Sequence, residues 1–122
     1  MNAPLESLGS AIERLGEVLE LPSSDVVRDA AIQRFEFCFE LAWKAMQKRL
    51  REEGVDCASP RSCLQAAYRQ GWIEEKPWIE MLADRNLTSH TYDQQLAEQV
   101  FQRLSQHLPQ LRALDESLRR EE

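Results

Sequence analysis

Residues 25–53, DVVRDAAIQRFEFCFELAWKAMQKRLREE, form the longest uninterrupted helical pattern in the chain. At roughly 100° per residue, Asp29, Gln33, Glu36, Glu40, Lys44, Gln47 and Arg51 fall on one narrow polar line. Val27, Ala31, Phe35, Cys38, Phe39, Ala42, Trp43, Met46 and Leu50 spread over well over half of the circumference. A surface helix needs only one apolar stripe, so this one is buried on two sides. Either it is central to a bundle, or one of its sides meets another chain. Ser24 caps it, Asp25 complements its positive end and Gly54 stops it.

Outward from this helix the same period recurs. Leu5, Leu8, Ile12, Leu15 and Leu19 predict a first helix over residues 5–20, stopped by Pro22. A short third helix begins at Ser59, with Pro60 in its first turn, and ends near Gln70 before Gly71. Cys63, Leu64, Ala67 and Tyr68 are expected to face inward from it. A fourth helix, residues 77–86, carries Trp78, Ile79, Met81 and Leu82. The fifth starts near Tyr92 and sets Leu96, Val100, Leu104, Leu108, Leu111, Leu114 and Leu118 on one face. Pro109 is expected to kink or split it, His107 to lie at the surface, and Glu121 and Glu122 to fray. With only four glycines and few Val, Ile or Thr runs, sheet is disfavoured. The expectation is one all-α domain spanning residues 1–122, an antiparallel up-and-down bundle of four to five helices. The doubly apolar second helix adds a homodimer.

Composition narrows the function. At 122 residues with 43% apolar and 30% charged content, the chain suits a single domain. No apolar run approaches the roughly 20 residues of a membrane span, and the start lacks the form of a signal peptide, so a cytoplasmic protein is expected. Three cysteines without CxxC spacing imply neither a disulfide framework nor a zinc site; Cys38, Cys57 and Cys63 are expected to be reduced. The formal net charge of −6 opposes long-range attraction of nucleic acid, so any RNA contact must be local.

Chemistry concentrates in residues 85–93, Arg85-Asn86-Leu87-Thr88-Ser89-His90-Thr91-Tyr92-Asp93. On one straight helix Arg85 and His90 would point about 140° apart, so a break is needed to aim both at one ligand. Thr91, Asp93 and Gln94 have capping-box form, which makes Tyr92 the opening of the fifth helix. Arg85 then ends the fourth helix, Thr88 and Ser89 turn the corner, and His90 stands beside free helix amides that favour anions.

The run 34–44, RFEFCFELAWK, together with residues 85–93, resembles the nucleotidyltransferase substrate-binding family of the HEPN superfamily. The resemblance implies an all-helical, dimeric bundle encoded beside a minimal nucleotidyltransferase in a toxin–antitoxin-like pair. It implies further that Arg85 and His90 match the Arg-x4-His motif of metal-independent ribonucleases, and that Tyr92 matches a tyrosine nucleotidylated by the partner. Asn86 and Ser89 would then contact substrate, with no cofactor and no metal. The chemistry is coherent. Metal-free RNA cleavage needs a base for the 2′-hydroxyl, an acid for the leaving oxygen and positive charge at the phosphorane. One histidine cannot fill both proton roles at once, so two copies of His90 at a dimer cleft are expected. The alternative is a non-catalytic subunit that presents a substrate or nucleotide to the transferase.

Overall fold

The computed structural model describes residues 2–120. Five helices follow one another: α1 Ala3–Leu19, α2 Asp25–Glu52, α3 Pro60–Arg69, α4 Glu75–Leu87 and α5 Gln94–Arg120. A single 3-10 turn, Thr88–His90, joins the last two, and no strand occurs among the described residues. The fold is the expected all-α bundle. Among the described residues no helix is long and apolar enough to cross a membrane.

Local signals set the ends. The Asn2 side chain accepts the Leu5 amide and donates to the Ala45 carbonyl, both at 3.1 Å, so the start of α1 is pinned to the far half of α2. Ser24 caps α2 through the Val27 amide. Ser59 and Ser62 exchange hydrogen bonds in a capping box at α3. Gly54 and Gly71 follow α2 and α3 with φ of 79° and 80°, the left-handed stop that a residue without a Cβ adopts freely.

The long helices are arranged by their apolar stripes. α2 packs against α1, α3, α4 and α5, so the first of the two readings of its double apolar face holds within this chain: it is central. Phe35, Phe39, Ala42 and Met46 of α2 are fully buried with Leu8 and Leu15 of α1 and Leu104, Leu111 and Leu114 of α5. α1 runs antiparallel to α5. The Arg119 side chain donates to the Leu5 carbonyl at 2.9 Å, and Arg112 reaches Gly16 as Arg119 reaches Gly9, seven residues apart on both helices. Gly9 and Gly16 thus make room for guanidinium groups laid across α1.

Four expectations are corrected. α5 is not split at Pro109 but continues as one helix from Gln94 to Arg120, since the ring displaces one hydrogen bond while the leucine stripe on both sides stays buried. Tyr68 lies outside the inward set, 49% exposed, because it stands about 140° from Cys63 around α3. Cys57 and Cys63 are joined in a disulfide with Cα atoms 5.2 Å apart, leaving only Cys38 free. The capping box turns the chain sharply at Ser59, which brings the residue two before the cap against the first turn of α3, a proximity that spacing rules do not encode. His107 is buried, 4% exposed, and belongs to an ion cluster described below. Glu121 and Glu122 lie outside the described residues.

Candidate functional site

α4 brings Arg85 to the face of α2. Its guanidinium forms an ion pair with the Glu40 carboxylate and lies over the Phe39 ring, 5.7 Å from the centroid. Its other arm donates to the Asn86 side-chain oxygen at 3.4 Å. The second Glu40 oxygen accepts the Trp43 indole N–H at 3.1 Å, so one carboxylate orders both side chains. Arg85 keeps 30% of its side chain exposed, and a planar fork held from behind by charge and ring still offers donors to a phosphate.

The expected break is present but differs in form. α4 continues past Arg85 to Leu87 and tightens into the 3-10 turn. The Thr88 hydroxyl donates to the Arg85 carbonyl at 2.7 Å and the Thr91 hydroxyl to the Thr88 carbonyl at 2.9 Å. With its hydroxyl so engaged, Thr91 does not cap α5. Asp93 does, accepting the Gln95 and Leu96 amides at 3.0 and 3.1 Å, and the helix begins at Gln94 instead of Tyr92. Two of the amides expected to be free beside His90, those of Gln95 and Leu96, are therefore taken by a carboxylate of the chain itself.

Two open clefts flank this turn. Arg85, Asn86, Thr88 and Ser89 line one of about 300 Å³ with Glu36 and Glu40. Thr91 and Tyr92 line the other, about 480 Å³, against Asp29, Gln33 and Glu36. Glu36 stands on the wall they share. His90 is exposed at the end of the 3-10 turn, its ring edge-on to that of Tyr92 at 6.2 Å. Tyr92 is 84% exposed. The structure thus gathers Arg85, Asn86 and Ser89 in one cleft and sets Tyr92 in its neighbour, with the His90 ring beside Tyr92 but lining neither cleft. Among the described residues no group of three or more His, Cys, Asp or Glu side chains is placed to hold a metal ion.

Behind the site lies a cluster absent from the sequence reading. Asp84, next to Arg85 and 4% exposed, takes three hydrogen bonds from Arg103, at 3.1, 3.0 and 2.7 Å, and one from His107 at 2.7 Å. Burial alone would raise the Asp84 pKa, but the Arg103 and His107 bonds and charges outweigh it and hold the carboxyl below its usual value. His107 stacks on Phe35 with centroids 5.4 Å apart. A signal was available: His107 falls inside the stripe of Val100, Leu104, Leu108 and Leu111, where a polar residue demands a buried partner.

The class that this architecture defines is a small all-α bundle with Arg85 near the end of α4 and His90 and Tyr92 exposed just after it, beside clefts walled by the central helix. The chain belongs to the family described as nucleotidyltransferase substrate binding protein like, which residues 3–120 match. A Haemophilus influenzae protein named probable ribonuclease HepT is 34% identical over 101 residues, 78% of this chain and 69% of that protein. A crystal structure from Thermus thermophilus is 39% identical and superposes with a TM-score of 0.86, covering 92% of this chain and 98% of that one. A second structure, from H. influenzae and described as revealing the fold of a substrate binding domain of a nucleotidyltransferase, is 29% identical with a TM-score of 0.83. It covers 94% of this chain and 98% of its own.

Proposed function

We propose that this protein is the toxin-like subunit of a cytoplasmic two-component system with a minimal nucleotidyltransferase, and that it is a metal-independent endoribonuclease. The carrying observation is the presentation of the motif: His90 and Tyr92 are exposed, and Arg85 lines an open cleft with its guanidinium braced by Glu40 and Phe39. The name of the H. influenzae relative supports the activity, and the family description supports the partner.

In this reading two chains form a homodimer that joins their Arg85 clefts. One His90 takes the proton of an RNA 2′-hydroxyl, whose oxygen attacks the adjacent phosphorus. The 5′-oxygen leaves and takes a proton from the second His90, yielding a 2′,3′-cyclic phosphate and a 5′-hydroxyl. Arg85 donates to the phosphorane oxygens, and Asn86 and Ser89 hold ribose or phosphate oxygens. Tyr92 is a substrate of the partner: its oxygen attacks the α-phosphorus of a nucleoside triphosphate, pyrophosphate leaves, and the attached nucleotide fills the cleft. Purified protein with excess chelator tests the activity. Cleavage that falls by about 10²–10⁴-fold in His90→Ala is expected, and equal cleavage by parent and variant refutes it.

One observation favours the second reading, a non-catalytic subunit presenting a substrate or nucleotide to the transferase. Asp29, Glu36 and Glu40 wall the two clefts, and carboxylates repel a long polyanion such as RNA more than a ligand that carries few or no negative charges. Calorimetric binding of a mononucleotide by a protein that cleaves no RNA would establish it.

A further inference from the structure

We propose that Asp84, gripped by Arg103 and His107, is the positioning residue of the site, fixing the rotation of the last turns of α4 and hence the aim of Arg85. Neighbouring side chains on a helix point about 100° apart. Asp84 is turned into the bundle toward α5 while Arg85 is turned toward Glu40 on α2, so the two adjacent residues tie α4 to two different helices. Both ties converge on the same aromatic ladder. His107 stacks on Phe35, Phe35 lies 6.5 Å from Phe39, and Phe39 carries the Arg85 guanidinium.

Burying a carboxylate is costly, and apolar side chains would fill the same volume at least as well. What four directional bonds add is a unique angular setting, which apolar packing specifies poorly. α4 has particular need of it. It is short, its N-cap residue Glu74 makes no side-chain capping bond, and its buried apolar set is only Trp78, Met81 and Leu82. Arg103 closes the cluster from the solvent side with 40% of its side chain exposed, whereas His107 is 5% exposed and holds it from within.

The test compares two replacements of one residue. His107→Gln keeps an N–H donor near the Nε2 position, and His107→Phe keeps a ring on Phe35 but removes the donor. The readout is the NMR signal of the Arg85 Nε–H, assigned by its loss in Arg85→Lys and displaced by the ring current of Phe39. His107→Gln is expected to preserve the displaced signal, and His107→Phe to return it toward that of a free arginine. The kinetic consequence rests on the ribonuclease reading: His107→Phe should lower kcat at least tenfold while KM changes less than twofold, with activity retained in His107→Gln. A wild-type signal in His107→Phe, or equal loss in both variants, overturns the proposal. If His107→Phe does not fold, Arg103→Gln removes the outer grip and is read in the same way. A parent protein that cleaves no RNA refutes the ribonuclease reading, and the Arg85 signal still decides this one.

Discussion

Arg85 shows how one partly exposed guanidinium is held in place by groups that are themselves satisfied. Glu40 is shared between it and Trp43, and Phe39 lies beneath it, so its fork is held without being used up. Asp84 supplies a pH signature. Its pKa is depressed in the folded chain, so its contribution to stability is present above the unfolded value near 4 and is lost as pH falls through the folded value. Acid titration of the unfolding midpoint should show stability dropping below about pH 4, and Asp84→Asn should flatten that drop. Burial pushes the Cys38 thiol up to about 12, so in the native protein at pH 8 it should resist alkylation. Thiol counting after denaturation without reductant should find one group, Cys38, and three after reduction. The residues of the motif were legible in the sequence because their types are rare together; their hydrogen-bond partners were not. Thr91 was expected as a cap and Asp93 serves instead, because a 3-10 turn consumed the Thr91 hydroxyl, a choice made by two residues of backbone geometry that no spacing specifies.

Among the elements, apolar periodicity together with cap and stop residues such as Ser59, Pro60 and Gly71 located all five helices, and their boundaries moved by less than a turn. Pro109 does not split α5 because the cost of one missing hydrogen bond is about 3 kcal/mol, less than a stripe of buried leucines on both sides contributes. The two helical glycines of α1 and the glycine after α2 should respond differently to alanine. In Gly16→Ala the new methyl is crowded by the end of the flexible Arg112 side chain, 2.9 Å away, and meets Leu108 at an ordinary 3.8 Å, while helix propensity improves by up to about 1 kcal/mol. A thermal midpoint within a few degrees of the parent is expected. Gly54→Ala meets open space but forces a side chain into φ 79°, and should destabilise by about 1 kcal/mol. Equal effects on chemical denaturation would contradict this account of why each glycine is there.

For the whole molecule, α2 serves both the core and the candidate site: one face fills the core, while Asp29, Glu36 and Glu40 on another wall the clefts. Phe35→Ala should cost about 3–5 kcal/mol and unfold much of the population at physiological temperature. The fold could be read from sequence because helical periodicity reports burial directly. The clefts could not, since they form between α2 and a turn far along the chain. Sedimentation should give twice the 14.2 kDa chain mass if two Arg85 clefts join. The central claim, that Arg85, His90 and Tyr92 are one site switched by a partner enzyme, meets its most direct test in intact-mass analysis after co-expression with a minimal nucleotidyltransferase. The account predicts mass added in whole nucleotide units, mapped to Tyr92 and absent in Tyr92→Phe, with RNA cleavage lost in the modified protein. An unchanged mass beside an active transferase, or modified protein that cleaves as fast as unmodified, would contradict it.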